Sequence, residues 1–212
     1  MIIYGSSVSP YVRKVIAFAM EKGIEFKVKV ENPGSQDAEF RAASPFGKIP
    51  GFRDDDYTLA DSSAIVAYLD ALRPEPVLIP VKPRERGKVI WWDEFADTIL
   101  MEAGRKIFFN RIVLPKLLGK PGDLAAADKA EREDLPPVLD YLERSMPDSG
   151  WLVGDGLTLA DLAVASPFAN LRYAGCQVKP AVHPKLASFL QKMHARPSFA
   201  RSLEKEAKLF AG

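Results

Sequence analysis

Three short segments in the first 62 residues carry the side chains best suited to binding an anion: residues 9–11, 48–50 and 61–62, with the sequences SPY, KIP and DS. Each segment lies where a strand or a loop meets a helix or a turn. A compact fold can bring all three to one end of a small sheet. Together they predict a pocket for a small anionic ligand.

Ser9 precedes a proline at the start of a predicted amphipathic helix. Helix capping alone explains this pair, because serine is a preferred N-cap and proline a preferred first helical residue. The same geometry places a hydroxyl at the positive end of a helix, where a thiolate is stabilised. Lowering a thiol pKa from about 8.5 to about 6.5–7 takes roughly 2–3 kcal/mol. One hydrogen bond to a charged group supplies about 1.5–3 kcal/mol, so no histidine base is needed.

The second segment, Lys48-Ile49-Pro50, opens a predicted strand with a proline that cannot donate a ladder hydrogen bond. It therefore belongs at an edge or in a special turn. A cis bond before Pro50 turns the backbone of Ile49 outward, where its donor and acceptor can pair with an extended peptide. The alternative interpretation is a simple edge strand.

The third segment, Asp61-Ser62, precedes another predicted helix, with Ser62 as a plausible N-cap. Capping alone explains it. In the functional interpretation, Ser62 and nearby backbone N–H groups hold a ligand carboxylate, and Asp61 pairs with a ligand amine. Both interpretations hold at once, because an N-cap with a free face is an anion site.

Composition limits the classes of function. The 212 residues carry a formal net charge of +1, which gives no long-range attraction to nucleic acid or to an anionic membrane. Cys176 is the only cysteine, so no intrachain disulfide forms, and with only His183 and His194 we expect no metal site. The N-terminus has no secretory pattern and no apolar stretch reaches the length of a spanning helix. We expect a soluble, cytoplasmic protein.

The two halves of the chain have different periodicities. Residues 1–76 predict β-α-β and then β-β-α, a mixed α/β sheet with helices packed on it, including helices over 10–22 and 62–73 and a strand over 26–31 with one solvated face. Prolines mark a linker over 77–83. Residues 84–212 predict an all-α domain with a long helix over 84–109 that ends before Pro115. In this half, Thr158 and Asp161 form a capping box, which is structural.

These pieces, in this order, resemble cytosolic glutathione transferases. The first half matches in SSVSPYVR at 6–13, SPFGKIP at 44–50 and LADSSAI at 59–65. The second half matches in WLVG at 151–154, TLAD at 158–161 and RPSF at 196–199. The resemblance implies a thioredoxin-like domain followed by a helical domain, a homodimer, and glutathione as co-substrate without a metal.

The resemblance also implies a role for each matching residue. Ser9 contacts the glutathione sulfur as the catalytic hydroxyl, although Tyr4 and Ser6 align with the active hydroxyl of other classes and stay open as alternatives. Ile49 pairs with the cysteinyl part beside a cis Pro50. The remaining expected contacts are Lys48 to the glycyl carboxylate, Asp61 and Ser62 to the γ-glutamyl end, Phe46 to a partner subunit, and Asp97, Met101 and Arg105 to the second substrate.

The implied function is transfer: a glutathione thiolate attacks a small hydrophobic electrophile. Two alternatives stay open. One is glutathione-dependent isomerisation or dehalogenation, because the run SSVS at 6–9 is also similar to an isomerase-like class. The other is a binding module with this architecture and no activity.

Overall fold

The computed structural model describes residues 1–210, which form two compact units. The first unit consists of residues 1–79 together with the chain from Arg196 onward, and the second of Pro80–Ala195. Apart from its C-terminal helix, the first unit contains β1 (Ile2–Tyr4), α1 (Pro10–Glu21), β2 (Lys27–Lys29), α2 (Ala38–Ala43), β3 (Gly51–Asp54), β4 (Tyr57–Ala60) and α3 (Ser62–Leu72).

The sheet has the strand order β2-β1-β3-β4. The strands β1 and β2 are parallel, and the other two pairs are antiparallel, so the predicted mixed four-stranded sheet is confirmed. Tyr4 lies opposite Gly51, and Gly51 lies opposite Ala60. The residues that follow β1, precede β3 and follow β4 therefore leave the sheet at the same edge.

The two faces of the sheet carry different helices. Phe52 pairs with Ile3 in the sheet and its ring lies 5.6 Å from the ring of Tyr68 in α3, so this face carries α3 and the helix packed against it, α1. Side chains alternate along a strand. Tyr4 therefore points to the opposite face, where it packs against Phe40 of α2.

The strand β2 is shorter and more exposed than predicted. It spans three residues, and Val28 and Val30 are 40% and 71% exposed. The expectation of one buried face is wrong there. The physical reason is position: β2 is an edge strand with one neighbour, β1.

The second unit is entirely helical in its regular structure. None of the helices within residues 1–210 has the length and hydropathy needed to cross a bilayer. The long helix was predicted to end before Pro115, but it begins at Pro83 and continues to Leu117. Its α-helical and π-helical segments follow one another without a break. The helices are α4 (Pro83–Phe95), α5 (Met101–Phe108), α6 (Leu124–Lys129), α7 (Leu135–Ser145), α8 (Leu159–Tyr173) and α9 (Pro184–His194), with π-helical segments at Ala96–Leu100, Phe109–Leu117 and Ala130–Asp134.

Helix α8 is the core of this unit. It is buried from Leu159 through Leu171 and packs against α4, α5 and α9. Its N-cap is Thr158, and the predicted capping box with Asp161 is confirmed.

The C-terminal helix, α10 (Pro197–Phe210), packs against α1. The periodicity of residues 84–212 predicts one helical domain that includes this helix. By its contacts, α10 instead belongs to the unit that contains the sheet. Sequence periodicity identifies such a helix but not the surface that its apolar face covers.

Candidate functional site

The first two candidate segments meet at the edge of the sheet where β1 ends. Gly5, which follows β1 with a φ of +137°, allows this approach. A Cβ atom at Gly5 would lie 2.7 Å from Cγ2 of Val12 and 3.1 Å from Cβ of Ile49. The first turn of α1 and the backbone before β3 thus converge on a residue that has no side chain.

The third segment joins them through α3. The ammonium of Lys14, on α1, donates to the hydroxyl of Ser63 at 3.3 Å. Because Ser63 lies in the first turn of α3, this bond links the N-terminal parts of α1 and α3. Segments 9–11, 48–50 and 61–62 therefore lie at one edge of the sheet.

Ser9 is the N-cap of α1, with φ −72° and ψ 126°. Its Oγ accepts the backbone N–H of Val12 at 3.5 Å, which is long for a hydrogen bond. Within residues 1–210 the hydroxyl proton of Ser9 has no acceptor, and the side chain is half-buried. The hydroxyl is therefore available to donate to a ligand at the positive end of the helix.

The two alternative hydroxyls have different surroundings. Tyr4 is fully buried against Phe40, its hydroxyl has no hydrogen-bond partner among the described residues, and burial raises the pKa of Tyr4. Ser6 is half-buried in the loop before α1, where its Oγ accepts the N–H of Val8 at 3.3 Å. Of the three hydroxyls, only that of Ser9 caps a helix.

The peptide bond between Ile49 and Pro50 is cis, as predicted. The side chain of Ile49 packs against the cluster around Tyr4, and its backbone N–H and C=O have no hydrogen-bond partner in the described part of the chain. Lys48 is exposed, and its carbonyl accepts the hydroxyl of Ser44 at 2.6 Å. The segment thus offers a fixed backbone donor and acceptor beside a solvent-exposed cation.

Asp61, not Ser62, is the N-cap of α3, so the capping role predicted for Ser62 is wrong. One carboxylate oxygen of Asp61, Oδ1, accepts the N–H groups of Ser63 and Ala64 at 2.9 and 3.1 Å, whereas Ser62 is the buried first residue of the helix. The other oxygen, Oδ2, has no partner within residues 1–210. Asp61 also has a φ of +85°, a conformation that costs a non-glycine residue about 1–3 kcal/mol and clusters at functional sites.

The other predicted residues are Phe46, in the loop before β3, and three residues of the helical unit. Phe46 is 89% exposed, so its ring does not cover the core of its own domain. Asp97 and Met101 are half-buried and Arg105 is exposed, at successive four-residue intervals along the helical unit. Their spacing places them on one helix face, and their role stays a prediction.

The comparisons with known proteins cover both halves of the chain. A model of the glutathione S-transferase N-terminal domain matches residues 3–77, and a model of the C-terminal domain matches residues 117–206. A glutathione S-transferase of Hyoscyamus muticus is 30% identical over 211 residues, covering 96% of this chain and 98% of the relative. The chain belongs to the glutathione S-transferase family. The resemblance seen in the sequence is thereby confirmed.

Solved members of the glutathione S-transferase family have the same fold. A glutathione S-transferase from Rhodospirillum rubrum superimposes with a TM-score of 0.85 at 26% identity, covering 93% of this chain and 89% of that one. Another, from Methylobacterium radiotolerans, superimposes with a TM-score of 0.77 at 27% identity and covers 95% and 93%. That protein was solved in complex with glutathione sulfonate.

Sequence reasoning missed two buried cations of this glutathione S-transferase family member. Arg13 and Lys14 lie about one helical turn after the Ser9 cap along α1 and are 0% and 1% exposed. Their partners, Glu206 and Ser63, are distant in sequence. No local pattern announces such a pairing, because a charged residue on a helix is normally expected to face solvent.

Proposed function

We propose that the protein binds glutathione at the edge formed by segments 9–11, 48–50 and 61–62 and activates its thiol for attack on a small hydrophobic electrophile. The observation that carries the proposal is the hydroxyl of Ser9 at the N-terminus of α1, whose proton has no acceptor among the described residues. A hydrogen bond from this hydroxyl favours the thiolate over the thiol.

The rest of the site complements the tripeptide. Oδ2 of Asp61 is free to accept from the γ-glutamyl amine, and the buried Ser62 lies next to it. The backbone N–H and C=O of Ile49, which have no partner within residues 1–210, fit the cysteinyl part as a strand-like pair. The exposed ammonium of Lys48 reaches the glycyl carboxylate. Each of these protein groups is thus matched to one charge, or to one backbone donor and acceptor, of glutathione.

In the reaction, the thiol proton leaves to solvent as glutathione binds, and the thiolate forms a bond from sulfur to an electrophilic carbon. That carbon releases its leaving group, or the addition product takes a proton from water. Ser9 keeps its proton throughout and donates a hydrogen bond to the sulfur. This hydrogen bond raises the fraction of glutathione present as thiolate, which is only a few per cent for a free thiol at neutral pH.

The direct test is titration of the bound thiol. We expect the ultraviolet absorbance of the thiolate, recorded in the binary complex against pH, to give a pKa of about 6.5–7 instead of about 8.5. The same titration of free glutathione is the control. A bound sulfur that keeps its proton at neutral pH contradicts the proposed mechanism. A panel of conjugation, isomerisation and dehalogenation substrates then distinguishes the chemistries.

The substitution Asp61→Asn separates capping from ligand binding. The asparagine side chain retains an oxygen for the N–H groups of Ser63 and Ala64, whereas the charge that faces the γ-glutamyl amine is lost. We expect KM for glutathione to rise about tenfold, equivalent to about 1.4 kcal/mol, with the melting temperature nearly unchanged. Initial rates at varied glutathione and thermal unfolding check this. An unchanged KM would leave Asp61 with a capping role alone.

We further propose a homodimer in which Phe46 enters the partner subunit. A phenyl ring that is 89% exposed has no cover from its own chain, and large aromatic anchors carry much of the binding energy at interfaces. Phe46→Ala should shift a micromolar sample from dimer toward monomer in sedimentation velocity. The exposed Tyr57→Ala is a control for general surface effects. A wild-type protein that sediments as a monomer would refute the dimer.

A further inference from the structure

Two helices far apart in the sequence, α1 and α10, are joined by a buried ion pair. The Nη2 and Nε atoms of Arg13 donate to the two carboxylate oxygens of Glu206 at 2.7 and 3.2 Å. The two residues are 0% and 2% exposed. A planar guanidinium held at two points fixes orientation as well as distance.

A second polar cluster joins the opposite ends of the same helices. Nε and Nη2 of Arg196 each donate to Glu21 at 2.8 Å, and the hydroxyl of Ser198 donates to Glu21 at 2.5 Å. Along α1 the two contacts are eight residues apart, from 13 to 21, and along α10 also eight, from 198 to 206. At 1.5 Å per residue both spacings are about 12 Å, so the antiparallel helices match in register.

The Arg13 end of this contact lies one helical turn from the Ser9 cap. Arg13 is four residues after Ser9, and its backbone N–H donates to the carbonyl of Ser9 at 2.9 Å. The side-chain cap of Ser9 is weak by comparison, because the distance from its Oγ to the N–H of Val12 is 3.5 Å. The backbone N–H of Arg13 therefore makes the shorter of these two hydrogen bonds to Ser9.

Stability alone does not account for this ion pair. Two buried charges lose their hydration, and a well-packed apolar pair of similar volume often stabilises a fold at least as well. A two-point ion pair supplies directional restraint that an apolar pair lacks. The ion pair lies one helical turn from Ser9, so a restraint on the orientation of Arg13 also restrains the direction of the Ser9 hydroxyl.

We propose that Glu206 is a positioning residue for Ser9, acting through Arg13, and that α10 braces α1 so that the Ser9 hydroxyl stays aimed at the bound sulfur. The inference rests on the proposed function of Ser9. It gives the C-terminal helix a role in thiol activation without any contact with glutathione. The other charges near this turn, Lys14 on α1 and Asp61 before α3, are unchanged by variation at Arg13 and Glu206.

The test is the double variant Arg13→Met, Glu206→Leu, which removes both charges together and leaves the local net charge unchanged. We expect the pKa of the bound thiol to rise by about one, with kcat/KM at neutral pH falling about three- to fivefold and KM for glutathione changing less than about threefold. Arg13→Lys keeps the charge but loses the two-point fork. Arg13→Lys should raise the pKa of the bound thiol by less than the double variant does. It replaces the double variant in the test if the double variant does not fold.

The matched control is Glu21→Gln, Arg196→Gln, the same kind of change at the other end of the same two helices. It should lower the melting temperature and leave the pH profile of kcat/KM as in the wild type. A thiol pKa that stays at the wild-type value in both folded Arg13 variants overturns the inference. Ser9→Ala distinguishes failure of this inference from failure of the proposed function. If Ser9→Ala also leaves the thiol pKa unchanged, Ser9 is not the activating group, and both the proposed function and the positioning role of Glu206 are wrong.

Discussion

Ser9→Ala should lower kcat/KM for conjugation of a model electrophile by well over tenfold at neutral pH, with folding intact. The lost hydrogen bond to the thiolate is worth about 1.5–3 kcal/mol, which corresponds to a factor of about ten to over a hundred. The lost cap costs little stability, since the bond from Val12 to Ser9 is 3.5 Å long. Steady-state rates with a chromogenic electrophile measure the effect.

The pH dependence of Ser9→Ala gives a sharper result than a single rate. In the wild type the bound thiol is ionised above a lowered pKa, and in the variant it ionises only as pH approaches about 8.5. The deficit should therefore be largest near neutral pH and should shrink as pH rises through about 8.5. A deficit that stays constant across this range would mean that Ser9 acts on something other than ionisation.

Two neighbouring hydroxyls provide controls for Ser9. Ser7 lies in the same loop and is also half-buried, so Ser7→Ala should leave the thiol pKa and the rate unchanged. Ser6→Ala tests the alternative hydroxyl that is not buried in the core. If Ser9→Ala turns over at the wild-type rate and Ser6→Ala does not, the catalytic role moves to Ser6.

Asp161→Ala should cause the largest loss of stability from a single substitution. The Asp161 carboxylate is fully buried and accepts three hydrogen bonds: from the N–H of Leu152 at 2.9 Å, and from the N–H and hydroxyl of Thr158 at 2.8 and 3.0 Å. Alanine leaves these donors buried without that acceptor, at about 1–3 kcal/mol for each. We expect a loss of at least about 4 kcal/mol, read from the urea midpoint and slope.

The control for Asp161 lies in the loop that precedes α8. Asp155 is exposed, and Asp155→Ala should change the free energy of unfolding by less than about 0.5 kcal/mol. The fraction of Asp161→Ala that folds should retain the wild-type thiol pKa, because the capping box lies in the helical unit and not at the candidate site. A midpoint equal to that of the wild type would contradict the assigned role of the box.

Local signals in the sequence identified the four strands, most of the helices and the candidate residues, but not the short helices α2 and α6. Helix α1 begins at the predicted Pro10, after the predicted cap Ser9, and α8 follows the predicted box of Thr158 and Asp161. These signals are reliable because capping and the proline geometry involve residues within one helical turn. The order of strands and helices likewise predicted the mixed sheet, since each strand or helix shows its own periodicity.

Other features follow only from the tertiary structure, because they depend on contacts between distant residues or on an unusual backbone conformation. Tyr4 is buried because α2 covers its face of the sheet, so Ser9 at the helix end is the better placed hydroxyl. Val28 is exposed because β2 is an edge strand. Asp61, not Ser62, caps α3 through its bonds to Ser63 and Ala64, and its φ of +85° is a conformation that few non-glycine residues adopt. The pairing of Arg13 with Glu206 spans 193 residues, a separation at which no periodicity or local propensity operates.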